Sequence, residues 1–296
     1  MTEPYTRTLE LPGATLHYDV RGALPPAGSS GGAGAPVLVL AGSPMDASGF
    51  TTLASYFTDR AVVTYDPRGT GRSVRTDPGT EVTPAQHAED LRRVIEALGA
   101  GAVELFGTSG GAVNGLALVA AHPELVRTFV AHEPPVAEVL PDRAEVLAVG
   151  ERIHRAYLRG GSGPAMARFI ELVQHRGPLP EGYAERPAPD PAAFGLPIED
   201  DGSRDHPLVG QNLRNCLGFR PDFAALAAAS TRIVVAVGKE SEGEMAARGA
   251  VGVAERLGVA PTVFPSHHVG FLGDEAGMQG EPDAFAAALR HALDLG

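Results

Sequence analysis

The sequence predicts an α/β fold, with a mostly parallel central sheet flanked by helices and an inserted helical cap. Short, mainly apolar runs, which are typical of strands buried on both faces, alternate with segments of helical periodicity. Such alternation indicates a parallel sheet covered by helices. It stops over residues 136–220, where helical segments follow one another without a clear strand, and resumes after Pro221. We therefore expect residues 136–220 to be an insertion over the strand ends.

The predicted elements begin with two short alternating strands in residues 7–20, joined by a turn at Pro12-Gly13. Residues 21–35 are rich in Gly, Ser, Pro and Ala, which favours a flexible surface loop. Apolar runs then predict strands at 36–41, 61–65, 102–106, 125–131, 231–237 and 261–264. Helical periodicity predicts helices at about 47–59, 84–98, 222–229, 243–257 and 282–295, and one from the turn at Ser109 to about His122.

Two domains are predicted on this basis. Residues 1–135 and 221–296 form the core domain, and residues 136–220 form the cap. Within the cap, helical stretches at about 142–159 and 163–175 precede a Pro-rich segment, 177–208, and a shorter helix near 208–217. Its apolar positions are expected to pack in the cap's own core and, in part, to line a hydrophobic pocket; they are Val146, Leu147, Ile153, Tyr157, Met166, Phe169 and Ile170.

Composition excludes several classes of function. The formal net charge of −12 argues against nucleic acid or an anionic membrane as the main partner. Cys216 is the only cysteine, so an intrachain disulfide is impossible and a reducing compartment is expected. The N-terminus has no basic segment followed by an apolar one, and no window approaches the ~18 apolar residues of a membrane span. These observations favour a cytoplasmic protein.

The segment Gly107-Thr108-Ser109-Gly110-Gly111 links an apolar run to an Ala/Leu-rich stretch. Its Gly-x-Ser-x-Gly pattern is typical of a serine in a strained strand-to-helix turn, where small neighbours let the strand and helix pass closely. The pattern alone is weak, because such strings also occur by chance. A dinucleotide-binding turn fits poorly, since Ser109 replaces the second glycine of Gly-x-Gly-x-x-Gly, and no phosphate-binding loop occurs.

Polar residues follow most of the predicted strands. Ligands of an open parallel sheet lie at the carboxyl ends of its strands, so these residues are expected to converge. Chance explains one or two such groups, whereas six together predict a site. The groups are Gly42-Ser43, Asp66-Arg68, Ser109, His132-Glu133, Gly238-Glu242 and His267-His268.

A serine nucleophile needs a general base, and histidine is the usual one. We favour His268, because it lies in a loop directly after the last predicted strand. Its neighbour His267 is expected to be exposed or to lie just outside the reacting groups. A surface or packing role is expected for His17, His87, His154, His175, His206 and His291, and His122 is predicted at the far end of the helix that follows Ser109.

Two positions are candidates for the acid that orients His268. Glu133 ends an apolar strand, and the prolines at 134 and 135 favour an extended backbone there and a partly buried carboxylate. Glu240 and Glu242 follow the penultimate strand, but as residues at the start of a helix they are also explained by the helix dipole. The residues alone leave both alternatives open.

The oxyanion hole requires two backbone donors, for which the N–H groups of Ser43 and Gly110 are predicted; Pro44 has no N–H. Asp66 and Arg68 are expected to pair within a structural turn. A metal site is not predicted: His132-Glu133 begins like His-Glu-x-x-His, but the two prolines prevent a helix and position 136 is Val.

At this point the chain resembles the α/β-hydrolase superfamily along nearly its whole length. The resemblance rests on residues 66–73 (Asp-Pro-Arg-Gly-Thr-Gly-Arg-Ser), the Gly-Thr-Ser-Gly-Gly turn and the late His-Val-Gly-Phe at 268–271. It implies an α/β-hydrolase fold, a serine–acid–histidine triad in that chain order, and no cofactor. The chain departs from the family at two places: the oxyanion strand ends in Ala41-Gly42 instead of His-Gly, and the usual acid position is Ser241.

Some members of the family, including certain haloalkane dehalogenases and the zearalenone-type lactonases, take their acid from the earlier strand end, which His-Glu-Pro-Pro at 132–135 resembles. We therefore predict a triad of Ser109, Glu133 and His268, with Glu240 and Glu242 as the alternative acids. Dehalogenases and epoxide hydrolases have an aspartate in place of Ser109, so those chemistries are disfavoured.

The predicted function is hydrolysis of a carboxylic ester or lactone through an acyl-enzyme, by a capped esterase or lactonase. The expected partners are a small hydrophobic ester-like substrate and water, and the sequence makes no prediction of oligomeric state. The same groups also suit amide hydrolysis, cleavage of a C–C bond or acyl transfer. A different class, a small-molecule binding protein with slow turnover, is the remaining alternative.

Overall fold

A computed structural model describes residues 3–26, 35–77 and 81–294 of the chain. The middle of the predicted surface loop, residues 27–34, and the predicted end of the last helix at 295 lie outside the described residues.

The described residues contain one sheet of nine strands, mostly parallel. The strands are β1 (Tyr5–Leu11), β2 (Ala14–Arg21), β3 (Leu38–Ala41), β4 (Val62–Tyr65), β5 (Val74–Arg75), β6 (Val103–Thr108), β7 (Val126–His132), β8 (Arg232–Gly238) and β9 (Thr262–Phe264). Their spatial order is β1-β2-β4-β3-β6-β7-β8-β9, with β5 paired to β2. Strand β2 pairs antiparallel with β1, β4 and β5, whereas the neighbours in the series β4-β3-β6-β7-β8-β9 pair in parallel.

Helices cover both faces of this sheet, as predicted. The α-helices are α1 (Thr51–Ser55), α2 (Pro84–Leu98), α3 (Gly110–Ala121), α4 (Arg143–Gly160), α5 (Ser162–Gln174), α6 (Leu213–Leu217), α7 (Phe223–Ala228), α8 (Met245–Leu257) and α9 (Pro282–Asp294). One face of the sheet packs on α2, α3, α7 and α8 through residues such as Leu91 and Val113, and the other packs on α1 and α9 through Leu53 and Phe285.

Short helical turns complete the fold. The 3-10 turns are Ala47–Phe50, Pro123–Leu125, Ala137–Val139, Tyr183–Glu185, Pro191–Phe194 and Glu275–Gly277, and Pro207–Asn212 is a π-helix. The helix predicted over 47–59 is thus a 3-10 turn followed by α1, which ends at Ser55. Phe57 is buried, and the chain turns there to enter β4. The two-residue strand β5 is not predicted from the sequence.

The segment 136–220, called the cap segment here, has an apolar cluster of its own, in which Val146, Ile153 and Tyr157 are fully buried. Its contacts with the rest of the chain include hydrogen bonds from the side chains of Arg176, Asn212 and Asn215. That it forms a separate domain stays a prediction. None of the helices in the described ranges is both long and apolar enough to cross a membrane.

Candidate active site

Ser109 lies between β6 and α3 with a left-handed backbone, φ 54° and ψ −124°. Its neighbours have no room for side chains: a Cβ added to Gly107 would lie 2.7 Å from the carbonyl oxygen of Gly111, and one added to Gly111 would lie 2.1 Å from that of Ala41. The N–H of Ser109 donates to the carbonyl of His132 on the neighbouring strand, at 2.9 Å. The glycines therefore permit the tight turn that holds this serine at the strand end.

His268 and Glu133 are brought together from loops far apart in the chain. The distance from His268 Nδ1 to Glu133 Oε2 is 2.5 Å, and the N–H of Gly238 donates to Glu133 Oε1 at 2.7 Å. The Glu133 side chain is fully buried. Because an ionised carboxylate only accepts hydrogen bonds, Nδ1 carries the proton in this pair, and Nε2 of neutral His268 is left as a proton acceptor.

The pKa of Glu133 is lowered to about 2. Burial acts in the opposite direction and raises this pKa, but the hydrogen bond from His268 outweighs it, together with the positive charge that His132 and His268 carry when protonated and the N–H of Gly238. The group is therefore a buried carboxylate whose charge is satisfied on both oxygens.

The backbone of Glu133 differs from the prediction. The two following prolines favour an extended backbone, but the structure has φ 47° at this residue, so the predicted extended conformation is wrong. Among the described residues, only three besides glycine have positive φ: Ser109, Glu133 and Ser266, which begins the His268 loop. Such conformations cost about 1–3 kcal/mol each and concentrate at functional sites. All three flank the candidate site.

His132 is a neighbour of this pair; the sequence placed it among the polar residues at the strand ends but gave it no catalytic role. It is fully buried, its Nδ1 is 3.0 Å from the hydroxyl of Thr108, and its ring stacks on that of His268 with centroids 6.1 Å apart. Burial lowers the pKa of His132 to about 4, an effect that Glu133 opposes and His268 reinforces. The uncharged imidazole of His132 therefore packs against the ring of His268. In the sequence, this role was indicated by the position of His132 as the last residue of a buried strand, next to Glu133.

The predicted oxyanion loop contacts the serine turn. A Cβ added to Gly110 would lie 2.3 Å from the carbonyl oxygen of Ser43, so Ser43 and Gly110 are neighbours. The amide of Asn212 donates to Ser43 Oγ at 2.6 Å, and its oxygen accepts from Cys216 Sγ at 3.2 Å. Asn212 was missed, because nothing in its π-helical segment distinguishes it in the sequence.

Glu240 and Glu242 are placed differently from Glu133. Both side chains are exposed, and the backbone carbonyls of both accept hydrogen bonds from Arg176 of the cap segment. Ser241 between them is fully buried. The hydrogen bond of His268 Nδ1 goes to Glu133, and the structure does not bring these two carboxylates to it.

The predicted pairing of Asp66 with Arg68 is wrong. The carboxylate of Asp66 accepts from Arg72 Nε at 2.7 Å, while Arg68 makes a bidentate pair with Asp90 of α2, at 2.9 and 2.7 Å. Arg68 thus connects the loop after β4 to α2, and Arg72 takes the place beside Asp66 that was expected for Arg68.

Ser109 and His268 line one cavity of about 460 Å³, called the Ser109 cavity here. Most of its wall is apolar, and Phe169 of the cap segment contributes to it, as was expected for some of the cap's apolar residues. His267, which is half-buried, also lines it and has its Nε2 3.3 Å from the carbonyl of Gln279. The remaining lining residues include Ser43, Pro44, Met45, Gly110, Val173, Gln174, Leu208, Leu213, Glu244, Met245 and Phe271.

This arrangement supplies the parts of nucleophilic catalysis: a serine at a helix N-terminus, a histidine held by a buried carboxylate, and backbone amides beside the serine. Within residues 3–26, 35–77 and 81–294, no three side chains of the metal-binding types His, Cys, Asp and Glu cluster as a metal site would require.

Comparison with known proteins shows what the chain is similar to. A family model described as the alpha/beta hydrolase fold matches residues 35–181. The chain is 27% identical over 271 residues to the uncharacterized hydrolase YraK of Bacillus subtilis, a match that covers 89% of each protein. It is 37% identical over 118 residues to a RutD protein of Caulobacter vibrioides, which is 39% of this chain and 40% of that one. A solved enol-lactonase from Burkholderia xenovorans is similar in fold, with 18% identity, a TM-score of 0.62, and 97% of this chain and 99% of that chain covered.

Proposed function

We propose that this protein, which belongs to the α/β-hydrolase superfamily, hydrolyses a carboxylic ester or lactone through an acyl-enzyme. The observation that carries the proposal is the 2.5 Å contact between buried Glu133 and His268, in a loop that lines the same apolar cavity as Ser109. A histidine polarised in this way beside a strained serine is the arrangement that activates a hydroxyl for attack on a carbonyl.

In the proposed reaction, Ser109 Oγ attacks the ester carbonyl while His268 Nε2 takes its proton. The N–H groups of Ser43 and Gly110 stabilise the resulting oxyanion, a contribution worth about 10²- to 10³-fold per donor in comparable sites. His268 then gives the proton to the leaving alcohol, and the acyl group stays on Ser109. Water attacks the acyl-enzyme with the same groups acting in the same order, which releases the acid.

Glu133 has two tasks in this mechanism. Its hydrogen bond keeps the proton of neutral His268 on Nδ1, so that Nε2 faces the reaction as a base, and its charge stabilises the imidazolium that forms during attack. A carboxylate whose pKa lies near 2 is ionised at neutral pH. The stacked, uncharged ring of His132 leaves this charge pair without a competing cation.

The wall of the Ser109 cavity supports an apolar acyl or alcohol group in the substrate. The side chains of Phe169, Leu208, Leu213, Met245 and Phe271 surround the space beside the serine. Burying the hydrocarbon part of an ester there contributes about 0.8 kcal/mol per methylene, so activity is expected to rise with chain length until the cavity is full.

The test is hydrolysis of p-nitrophenyl esters of increasing chain length and of simple lactones by the wild type, Ser109→Ala and the control Ser55→Ala, a serine in α1 outside the site. We expect turnover by the wild type and the control, and a loss of about 10³-fold or more in Ser109→Ala. If the wild type and Ser109→Ala are both indistinguishable from buffer over the whole series, the proposal is contradicted.

A further inference from the structure

Ser43 contributes only its backbone N–H to the proposed reaction, although its side chain also lies at the site. The residue lines the Ser109 cavity and is 6% exposed. A Cβ added to Gly110 would lie 3.2 Å from the Cβ of Ser43, so this side chain leaves the backbone beside the residue that follows the nucleophile. The hydroxyl of Ser43, one bond from this Cβ, is therefore close to the expected position of the oxyanion.

The hydroxyl of Ser43 has its acceptor role filled and its donor role open. Its Oγ accepts from Nδ2 of Asn212 at 2.6 Å, and within the described ranges this is its only hydrogen bond. A hydroxyl can donate one hydrogen bond in addition to those it accepts. Because Asn212 is a donor in this contact, the proton of Ser43 Oγ is left to point towards another acceptor, such as an oxygen atom of a bound substrate.

Cys216 explains why the amide of Asn212 presents its nitrogen to Ser43. The thiol Sγ lies 3.2 Å from Asn212 Oδ1, on the other side of the amide. Burial raises the pKa of Cys216 to about 12, so the thiol keeps its proton at neutral pH and donates to Oδ1. The opposite orientation of the amide would set its N–H groups against this S–H donor. The thiol thus favours the orientation in which Nδ2 donates to Ser43.

A second asparagine nearby shows a contact that only joins the cap segment to the core. Asn215 of α6 donates to the backbone carbonyl of Val82 at 2.7 Å, and the described lining of the Ser109 cavity includes neither residue. Asn212, in contrast, is 5% exposed, lines that cavity and ends the π-helix Pro207–Asn212, a rare conformation that is frequent at functional sites. Its hydrogen bond reaches a hydroxyl of the site and not a backbone group.

We propose that the hydroxyl of Ser43 is a third donor to the oxyanion, and that Asn212 is the positioning residue that directs its proton. The inference rests on the proposed function, because it adds one donor to the oxyanion hole of that mechanism. As Ser109 Oγ attacks and its proton passes to His268, negative charge develops on the carbonyl oxygen of the substrate. The O–H of Ser43 donates to this oxygen beside the N–H groups of Ser43 and Gly110, and keeps its proton.

The amide of Asn212 contributes to this donor in two ways. It fills a lone pair of Ser43 Oγ, so the hydroxyl is oriented before the reaction and needs no reorganisation when the charge appears. Its N–H also polarises the O–H, which strengthens the next hydrogen bond in the chain. The cap segment therefore assists the chemistry through a residue that touches no reacting atom.

The experiment measures kcat and KM for p-nitrophenyl butyrate in the wild type, Ser43→Ala, Asn212→Leu and the double variant. Leucine is close to asparagine in shape but donates no hydrogen bond. The matched control is Asn215→Leu, which removes a contact between the cap segment and the core outside the site. Ser43→Thr, which keeps the hydroxyl, is the conservative variant. The rate at which a fluorophosphonate labels Ser109 is measured in the same proteins, since its phosphoryl oxygen occupies the place of the oxyanion.

We expect Ser43→Ala to lower kcat by about 10²-fold with KM within about twofold, because the lost donor acts in the transition state. Ser43→Thr should be at least about tenfold faster than Ser43→Ala. Asn212→Leu should lower kcat by about tenfold, and the double variant should be no slower than Ser43→Ala, since Asn212 acts through a hydroxyl that is then absent. Asn215→Leu should stay within about twofold of the wild type. Labelling rates should follow the same order.

The inference is overturned if Ser43→Ala keeps kcat within about threefold of the wild type. It is also overturned if Asn212→Leu slows the reaction by the same factor with and without the Ser43 hydroxyl, or if Asn215→Leu slows it as much as Asn212→Leu does. In each case hydrolysis that depends on Ser109 would leave the proposed function intact. If the ester is not hydrolysed but Ser109 is labelled, the labelling rates decide the inference in the same way. If the wild type neither hydrolyses the ester nor is labelled, the proposed function and the inference fail together.

Discussion

The strands β7 and β8 are parallel neighbours, and the loop after each of them contains glutamates. The carboxylates of the two loops nevertheless differ in burial and in their hydrogen bonds. After β7, Glu133 is fully buried and bonded to His268 and to the N–H of Gly238. After β8, Glu240 and Glu242 are exposed, and their carbonyls hold Arg176 of the cap segment. A place at the strand ends is thus not sufficient to make a carboxylate a partner of the histidine.

Two features separate the loops. The left-handed backbone at Glu133, φ 47°, turns its side chain back under the strand ends, where it is held by a backbone N–H of β8. In the loop after β8 the buried residue is Ser241, and the glutamates on either side of it are exposed to solvent. The proposed triad therefore depends on backbone conformation and burial as much as on residue type.

The largest expected effect on activity comes from replacing the glutamates of each loop by glutamine, which has the same shape but no charge. Glu133→Gln should lower kcat/KM for a p-nitrophenyl ester by about 10³-fold or more, because the amide no longer enforces the Nδ1–H tautomer of His268 or stabilises the imidazolium. Glu240→Gln/Glu242→Gln should stay within about threefold of the wild type. The reverse ranking in steady-state kinetics would assign the acid to the loop after β8.

An aspartate introduced at the buried position of the loop after β8 tests whether a buried carboxylate there can act on His268. Ser241 is fully buried, and its Oγ lies 2.9 Å from where a Cβ on Gly238 would be, close to the start of the histidine loop. Ser241→Asp in the Glu133→Gln background should regain about tenfold of the lost kcat/KM, since it restores a buried charge near His268. The matched control is Ser241→Asn in the same background. Equal activity of the Asp and Asn variants would mean that the charge does not reach His268.

The pH dependence of stability provides a smaller effect. The pKa of folded Glu133 is about 2, below its ordinary value of 4.5, so its ionisation stabilises the fold fully above pH 4.5 and this contribution is lost as the pH falls towards 2. Between pH 7 and pH 3.5 the wild type should lose about 1 kcal/mol of unfolding free energy more than Glu133→Gln does. Urea denaturation at both pH values measures this, with Ser109→Ala as a control that retains the carboxylate. Equal losses in the wild type and Glu133→Gln would show that the charge of Glu133 is not satisfied as the structure has it.

The smallest effect is expected at Arg176, which joins the cap segment to the loop after β8. Its side chain is more than half exposed, so its ion pair with Glu244 contributes at most about 1 kcal/mol. Arg176→Gln should keep kcat/KM for small esters within about twofold, while limited proteolysis near residues 174–180 becomes faster. A loss of tenfold or more in kcat/KM would mean that the loop after β8 takes part in the chemistry.

The parts of the fold that follow from the sequence are those with local signals. Helix α2 begins and ends where predicted, because Thr83 accepts a hydrogen bond from the N–H of Gln86, Pro84 opens the first turn, and Gly99 ends the helix in a left-handed conformation. The buried strands were equally clear, since their runs are mainly apolar. The α/β-hydrolase fold was therefore predictable and is confirmed.

What escaped prediction depends on contacts between distant parts of the chain. β5 has only two residues and exists because it pairs with β2. Arg68 reaches Asp90 on α2, and Asn212 reaches Ser43 from the cap segment, although no spacing in the sequence links either pair. The backbone of Glu133 contradicts the local preference of a residue before proline, because its tertiary hydrogen bonds outweigh that preference.

Labelling by a fluorophosphonate tests the central claim directly, because it needs a nucleophilic serine and its base but no knowledge of the substrate. Intact-mass and peptide analysis of the wild type should find a single adduct on Ser109, formed about 10³-fold faster than in Glu133→Gln and at an unchanged rate in Glu240→Gln/Glu242→Gln. Ser109→Ala should remain unlabelled. An adduct on another residue, or equal labelling rates in the wild type and Glu133→Gln, would contradict the assignment of Ser109, Glu133 and His268.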